Sequence, residues 1–463
     1  MKRFIVVALC AGLVLAACGR SDTDSSKGTD TSSTTAGSSA AKSATFGTET
    51  DVCQTGKPSG SPTTGVTPTD IHVAVFSDSG FAGRPGLNQE FFDTAKVFSD
   101  WCNDRGGING RKIVVDERDA ALFNVKSKMV ESCAEDFAMV AGGAVFDQDG
   151  VETRLQCLMP DISGFVVSAP ARGADLVVQP LPNPTDSVAM GSLNYLDKEF
   201  PAATKKVGVL TGDVTTTKVT AAQMTAAAED LGWNVVYNDA YPAAGVTDWT
   251  PYAQKLKDNG VKGLIFVGDP DALAPLLGAI RDIGYDLDFV RVDANNYDQK
   301  LIDNAGTALA PKNVFIQSAF EPFETAKPDS ATGQYLQAFD EYLPDGKKQT
   351  YLGLQAWSSW LLFAKAAATC GNDLTRRCLY DEAKKVHDWT GGGLHATSDP
   401  GAGTATRCYT VMQATPSGFT VAKGTQPNDG IFNCSEKNVF ELPASEAVRT
   451  TLADVGQNID NMK

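Results

Sequence analysis

The stretch at residues 105–113, with the sequence RGGINGRKI, constrains the fold more than any other part of the chain. Before it, apolar residues recur at the helical period of three or four positions, at Leu87, Phe91, Ala95, Phe98 and Trp101. Gly106 and Gly107 predict the end of this helix, because glycine accepts a left-handed turn. Runs rich in β-branched residues lie on either side, at residues 71–76 and 113–115. The pattern strand–helix–turn–strand predicts an α/β sheet, but periodicity alone would suit any βαβ unit.

The residues of this turn carry a more specific signal. GGINGRKI closely resembles the same turn in the type I periplasmic binding proteins, the family of the leucine/isoleucine/valine receptors of ABC importers. The resemblance continues in the run Thr247-Asp248-Trp249-Thr250 and at Tyr351, which begins a long apolar helix. It extends in order from about residue 71 to about residue 421. It implies two doubly wound, Rossmann-like α/β lobes joined by a three-crossing hinge, and it leaves the ligand open.

The N-terminus predicts export and lipid anchoring. Residues 1–17 begin with Met1-Lys2-Arg3 and continue without a charge, but they are too short to span a bilayer, which takes ~20 residues, so they indicate a signal peptide. The residues before Cys18 form a lipobox, which predicts lipidation of Cys18; the alternative is an ordinary signal peptide with an incidental cysteine. Residues 18–61 are rich in Ser, Thr, Gly and Ala and predict a flexible tether.

Charge and cysteine content narrow the function classes. The formal net charge is −16. This acidity argues against binding to nucleic acid and against a polybasic protein surface that would contact a membrane. Ten cysteines are present; Cys10 leaves with the signal peptide and Cys18 is the predicted lipid site. The remaining even number suggests disulfides in an exported protein. Zinc is the competing interpretation, but there is no C-x2-C pair and only three histidines, so we expect no metal.

The first α/β set predicts the disulfide pairing. We expect strands near 71–76, 112–116, 137–141 and 162–166, with helices near 87–103, 124–136 and 148–158. In a sheet of order 2-1-3-4, right-handed crossovers place the first helix on one face and the next two on the other. This predicts Cys133–Cys157 on one face and Cys53–Cys102 on the other. The short sequence spacing between Cys370 and Cys378 favours a local disulfide between them. The two cysteines that remain, Cys408 and Cys434, would then form the fourth bond.

The rest of the chain predicts a second α/β set and the lobe boundaries. The proline-dense run at 180–184 marks a crossing, and strands follow near 207–210, 234–237, 263–267, 289–292 and 314–317. Residues 320–322 return the chain to lobe 1, residues 352–369 predict a buried helix, and residues 408–421 predict an antiparallel hairpin. We therefore expect lobe 1 at 62–184 plus about 320–390, and lobe 2 at 185–319 plus about 391–434. The packing of the tail at 435–463 is not predicted.

Ligands of open α/β sheets bind beyond the carboxyl ends of the strands, so the loops there supply the candidate site. In lobe 1 the candidates are Ser79, Gly80, Phe81, Val145, Phe146, Asp147, Ser168 and Ala169. In lobe 2 they are Thr216, Asp269, Asp293, Asn295 and Tyr297, and Tyr351 begins a helix that the resemblance directs toward the cleft.

One departure from the family pattern bears on the ligand. Amino-acid receptors usually place a serine for the ligand carboxylate after the third strand and a carboxylate for its ammonium in the second lobe. This chain has Phe146 and Asp147 at the first place, whereas Asp269 and Asp293 lie near the second. The aromatic candidates could instead stack on a flat or apolar ligand, and the aspartates could favour a cation or a hydroxyl. Phe146 could equally be core, and the three aspartates could be helix caps.

Enzymatic motifs are missing from the sequence. It contains no GxSxG elbow, P-loop or HExxH, and no GxGxxG after a strand. We therefore predict no catalytic residues and no cofactor. The leading interpretation is a solute-binding lipoprotein that delivers a small molecule to an ABC permease; by resemblance it is monomeric. A tethered sensor for a membrane receptor is the alternative, and an envelope enzyme is a third class.

Overall fold

The computed structural model describes residues 43–60, 62–242, 245–311, 313–444 and 447–462. The predicted signal peptide, the predicted lipid site Cys18 and the tether as far as residue 42 lie outside the described residues. Among the described residues, no helix combines the length and the apolar character needed to cross a membrane.

Lobe 1 is built on a parallel sheet. Its strands are β1 (Asp70–Ser77), β2 (Lys112–Asp119), β3 (Ala138–Val140), β4 (Asp161–Ile162) and β5 (Val177–Val178), in the order β2-β1-β3-β4-β5. The helices between them are α1 (Gln89–Asn103), α2 (Val125–Glu135), α3 (Gln148–Gln156) and α4 (Ala169–Arg172). The predicted order 2-1-3-4 is confirmed, and the short β5 extends it by one strand.

The glycine turn after α1 has a steric reason. Gly107 has a φ of +70°, and a Cβ at this position would lie 2.0 Å from the carbonyl oxygen of Arg111. Glycine avoids both the left-handed strain and this contact. The preceding helix buries the predicted apolar face, because Phe91, Ala95 and Phe98 are fully inaccessible. The turn therefore lets α1 pack tightly on the sheet and lets the chain enter β2 at once.

All four predicted disulfides are present. The bonds are Cys53–Cys102, Cys133–Cys157, Cys370–Cys378 and Cys408–Cys434. The topology argument holds for the first two, because Cys102 ends α1 whereas Cys133 and Cys157 belong to the neighbouring pair α2 and α3.

Lobe 2 begins after the proline-rich crossing. Its elements as far as the return crossing are β6 (Ser187–Ala189), α5 (Gly191–Glu199), β7 (Val207–Gly212), α6 (Thr215–Asp230), β8 (Val235–Tyr241), α7 (Thr250–Asp258), β9 (Gly263–Val267), α8 (Pro270–Asp282), β10 (Phe289–Val292), α9 (Gln299–Ala305) and β11 (Val314–Ser318). The chain then returns to lobe 1 through α10 (Ala331–Tyr342), α11 (Tyr351–Cys370) and α12 (Arg376–Lys384). As predicted, α11 is buried nearly all round, and Leu354, Trp357 and Trp360 are inaccessible in the lobe 1 core.

The third crossing completes the lobe 2 sheet. The hairpin of β12 (Cys408–Thr415) and β13 (Gly418–Val421) adds to β11, and the order is β13-β12-β11-β10-β9-β7-β8. The chain thus passes between the sheets after β5, after β11 and before β12, which agrees with the predicted three-crossing fold.

The two ends of the described chain pack on the lobes. Phe46, Val52 and Cys53 are buried in the lobe 1 core, so the predicted tether does not extend to residue 61. Although large apolar residues are few in this segment, these three pack against lobe 1. In the tail, β14 (Asn433–Cys434) pairs with β12, and β15 (Val439–Glu441) pairs with β6. Residues 447–462 then cross to lobe 1, where Leu452 and Met462 pack with Leu155.

Candidate functional site

The carboxyl ends of the two sheets face each other, and one ion pair joins them. Arg84, in the loop after β1, contacts the carboxylate of Asp269, in the loop after β9. Asp269 also caps α8, because its Oδ1 accepts a hydrogen bond from the amide of Ala272 at 3.1 Å. Burial raises the pKa of Asp269, and the positive charge of Arg84 opposes that rise. The loops predicted to form the site therefore meet across the cleft.

A buried aspartate holds the lobe 1 loops in place. Asp78 is inaccessible, and its carboxylate accepts hydrogen bonds from the amides of Leu122 and Val145, both at 2.8 Å. These amides belong to the loops after β2 and β3, so one side chain joins three loops. Burial raises the pKa of Asp78 despite these bonds. Sequence reasoning did not select Asp78; its place directly after a buried strand was the available signal.

Asp147 also holds two loops of lobe 1 together, which corrects its alternative interpretation as a helix cap. Its carboxylate accepts hydrogen bonds from the amide of Val167 at 2.7 Å and from that of Ser168 at 3.1 Å. It makes no side-chain cap to α3. Burial raises the pKa of Asp147 to about 7, and the bonds from Ser168 and Val167 oppose this rise. Asp147 therefore joins the loops after β3 and β4; the residue is partly exposed, and its role in ligand binding stays a prediction.

Ser168 and Gly80 are also explained by packing. The Ser168 hydroxyl caps α4 by accepting from the amide of Ala171 at 3.2 Å, and the residue is buried. Ala169 is the first residue of that helix. A Cβ on Gly80 would lie 2.1 Å from a carboxylate oxygen of Asp119, so any other residue there would require the Asp119 side chain to move. Ser79 lies beside Gly80 and is partly exposed.

Three phenylalanines from different loops form an aromatic patch at this edge of lobe 1. Phe81 meets Phe123 edge-on at a centroid distance of 6.1 Å, and Phe123 meets Phe146 at 5.8 Å. Phe123 is 71% exposed, the highest value among the large hydrophobic residues that the structure describes as exposed. Phe123 was missed from sequence; its signal was a large aromatic residue in the short loop between β2 and α2.

In lobe 2, polar site residues predicted from the sequence form hydrogen bonds or ion pairs with other residues of the chain. Asp293 pairs with Arg291, and the Asn295 side-chain amide donates to the carbonyl of Gly268 at 3.1 Å. Thr216 differs, because its buried hydroxyl has no hydrogen-bond partner among the described residues. Gly268 itself packs under Tyr241, whose hydroxyl would lie 2.0 Å from a Cβ there.

The two tyrosine candidates are packed aromatic residues. Tyr297 is 1% exposed; its hydroxyl donates to Glu324 at 2.6 Å and accepts from the amide of Phe323 at 3.0 Å. Phe419 packs edge-on against its ring, so this packing does not support stacking of Tyr297 on a ligand, which stays a prediction. Tyr351 is partly buried where the cores of both lobes meet, edge-on to Phe320.

Comparison with known proteins identifies the fold. A family model described as periplasmic binding protein matches residues 73–420. The chain belongs to the periplasmic binding protein family. Comparison with curated proteins gives no match.

Solved structures agree with this family. A fatty acid ABC transporter substrate-binding protein from Thermomonospora curvata is 18% identical with a TM-score of 0.66; the match covers 81% of this chain and 95% of that one. The substrate-binding protein LivJ from Streptococcus pneumoniae, in complex with isoleucine, is 16% identical with a TM-score of 0.62, covering 78% and 100%. A branched chain amino acid ABC transporter from Thermus thermophilus with bound valine is 13% identical with a TM-score of 0.64, covering 80% and 98%. At these identities the likeness is one of fold.

A serine–histidine pair in this periplasmic binding protein has a structural role. The Trp389 indole donates to the Ser358 hydroxyl at 2.9 Å, and that hydroxyl lies 2.8 Å from Nε2 of His395. Nδ1 of His395 lies 2.8 Å from the carbonyl of Ala396, which assigns the ring proton to Nδ1 and makes Nε2 the acceptor. Burial lowers the pKa of His395 to about 4. The polar side-chain atoms of Trp389, Ser358 and His395 all take part in hydrogen bonds, and the three residues are buried away from solvent.

A separate cavity lies inside lobe 1 of this binding protein. It holds about 440 Å³, including space open to solvent, between the sheet and helices α2 and α3. Its lining includes Phe76, Met129, Val151 and Phe165, with Asp147 at one side. Every lining residue comes from lobe 1, so lobe closure does not create this cavity.

Proposed function

We propose that the protein is an extracytoplasmic solute-binding lipoprotein that captures a small molecule between its lobes and delivers it to an ABC importer. The observation that carries this proposal is the contact of Arg84 with Asp269 across two lobes of the periplasmic binding protein fold. It supports a cleft that closes on its own loops. The names of the solved neighbours, which include ABC transporter substrate-binding proteins, support transport as the purpose of binding.

The mechanism is hinge closure about the three crossings. A ligand that contacts loops of both lobes binds the closed form more tightly than the open form, and so it increases the closed population. The lobe 1 half of the site is rigid, because Asp78 and Asp147 fix four loops relative to one another. Rigid loops lose little conformational freedom on binding, which favours affinity. The closed, liganded form then docks on the permease.

The export signals complete the proposal. Cys18 carries the lipid, and the polar residues up to about 42 act as the tether between membrane and lobe 1. Four disulfides suit an oxidising compartment outside the cytoplasm. A Cys18→Ala variant tests the anchor: the wild type partitions into detergent and the variant stays in the aqueous phase. Equal partitioning would contradict the lipid anchor and leave ligand capture intact.

Ligand capture is tested on the oxidised mature chain without its lipid. A thermal-shift screen covers amino acids, amides, aromatic acids, fatty acids, polyols and purines. A ligand that binds the folded state alone stabilises it by ~2.7 kcal/mol at a hundred times its dissociation constant. Small-angle scattering of each hit then measures the expected decrease in radius of gyration. Hits that leave the radius unchanged would contradict closure, and a panel without hits would contradict solute capture.

A further inference from the structure

On the basis of the solute-binding function proposed above, we propose that Arg84 is a specificity residue that makes the cleft select ligands without an amino group. Arg84 reaches from lobe 1 to the carboxylate of Asp269 in lobe 2. Arg84 therefore already supplies a cationic partner to that carboxylate. The ligand class that fits is an amine-free molecule with an apolar body.

The hydrogen bonds of the facing loops support this selection. Asp78 and Asp147 direct their carboxylates at backbone amides within lobe 1. Asp293 pairs with Arg291, as Asp269 pairs with Arg84. Each of these four aspartates thus already has a donor from the chain. At Asp269 and Asp293 the donor is an arginine, so a ligand cation would approach a carboxylate whose charge is already compensated, and removing that charged partner from a partly buried group is costly.

Burial makes the Arg84 contact hard to replace. The side chains are only 20% and 23% exposed for Arg84 and Asp269 respectively. Asp269 is fixed in addition by its cap on α8, so it cannot follow a ligand to another position. A ligand ammonium that took the place of Arg84 would force the guanidinium to find new partners in a half-buried loop. An amine-free ligand avoids this cost.

The aromatic patch of Phe81, Phe123 and Phe146 provides the surface for the apolar body. Phe81 lies in the same loop as Arg84, three positions earlier, and Phe146 follows Val145, whose amide Asp78 holds. The patch and Arg84 are therefore carried by connected loops on one edge of lobe 1. Exposed rings at such a place favour contact with a flat or aliphatic molecule.

Glu321 is the alternative acceptor for a ligand cation. It lies in the crossing after β11, and its buried Oε2 has no hydrogen-bond partner among the described residues. A ligand ammonium that reached Glu321 would not depend on Arg84. The Glu321→Gln variant separates these two sites in the experiment.

The experiment compares matched ligands by isothermal titration calorimetry. The probes are phenylalanine, 3-phenylpropanoate and 3-phenylpropanamide, together with amine and amine-free forms of any hit from the screen. We expect the wild type to bind the amine-free member at least ~10-fold more tightly, the equivalent of one charged hydrogen bond. Arg84→Gln frees Asp269 and should narrow or reverse this ratio, whereas Arg84→Lys should keep it. Arg281→Gln, which removes an exposed arginine beside Asp282, is the matched control.

The ratio of the affinities for the amine-free ligand and the amine distinguishes a role of Arg84 in selectivity from a role in stabilising the closed form alone. If Arg84 only stabilises the closed form, Arg84→Gln weakens both ligands equally, and that result would overturn the proposal. Equal or tighter binding of the amine by the wild type would also overturn it, and loss of that amine binding in Glu321→Gln would assign the site to Glu321. In both cases solute capture stands. A protein that binds no probe and no panel compound refutes the proposed function itself, and the selectivity proposal with it.

Discussion

The carboxylate of Asp147 accepts a hydrogen bond from the backbone amide of Ser168 at 3.1 Å, which ties the loop after β3 to the loop after β4. The same carboxylate accepts from Val167 at 2.7 Å. Asp147, which the sequence predicts to be a site residue, thus holds another loop of the site in place through that loop's backbone amides. Because burial raises the pKa of Asp147, we expect the stability of the protein to depend on pH.

Asp147→Asn should reduce the pH dependence of stability. Burial raises the pKa of Asp147 from 3.8 to about 7 in the folded protein. Folding therefore favours the protonated acid, and its contribution is complete below about pH 4 and is lost as the pH rises through 7. Urea unfolding at intervals from pH 4 to 8 should show the wild type losing stability relative to the variant over this window. Parallel curves for the two proteins would exclude Asp147 as the titrating group.

Gly107→Ala should destabilise the protein more than Gly403→Ala does. The two glycines have nearly the same φ, +70° and +71°, so both variants carry the left-handed strain of ~1–2 kcal/mol. A Cβ on Gly107 would lie 2.0 Å from the carbonyl oxygen of Arg111, whereas nothing lies within 4 Å at Gly403. We expect the extra clash to cost at least ~2 kcal/mol of unfolding free energy. Chemical denaturation of both variants measures the difference, and equal losses would refute the steric explanation.

Ser358→Ala should lower stability and leave ligand affinity unchanged. The change removes the acceptor of the Trp389 indole and the donor to Nε2 of His395, both buried. Leaving buried polar groups unsatisfied costs ~1–3 kcal/mol for each group. The free energy of unfolding, compared with that of Thr451→Ala at the surface, gives the size of the loss. A strong effect on binding at unchanged stability would instead place Ser358 in functional contact with the cleft.

Shortening the chain to end at Ala444 should loosen the lobes. The remaining tail keeps the pairing of β15 with β6 but loses the contacts of Leu452 and Met462 with lobe 1. Loss of this apolar burial should lower stability by several kcal/mol at ~25 cal/mol per Å² and widen the opening of the ligand-free form. Small-angle scattering of the ligand-free protein measures this opening.

Leu452→Ala is the milder variant, with an expected cost of ~2–3 kcal/mol of unfolding free energy. Gln457→Ala, which removes one exposed hydrogen bond, is its control. An unchanged radius of gyration in both Leu452→Ala and the shortened chain would show that the tail does not restrain the lobes.

Local patterns were enough to predict the two α/β sets and the buried helix α11, and the four disulfides followed from the expected sheet topology together with the cysteine spacing. The periodicity of Phe91, Ala95 and Phe98 identifies the buried face of α1 before any contact is known. The pairing of Cys133 with Cys157 follows from the handedness of crossovers, which is a general property of L-amino acids. The packed part of the N-terminal arm was missed, because a few residues such as Phe46 pack within a segment whose average composition is polar.

By itself, the amino-acid sequence determined the fold class, the disulfide pairs and which loops reach the carboxyl ends of the strands. Only the tertiary structure decided what the side chains in those loops do. Arg84 meets Asp269 across 185 positions of sequence, and no local pattern encodes a contact at that separation. Asp147 bonds to the loop after β4 and Tyr297 is buried for the same reason, since the contacts of a side chain depend on the partners that other loops bring to it. Helices and strands depend on neighbours a few residues away, whereas the site depends on loops that only folding brings together.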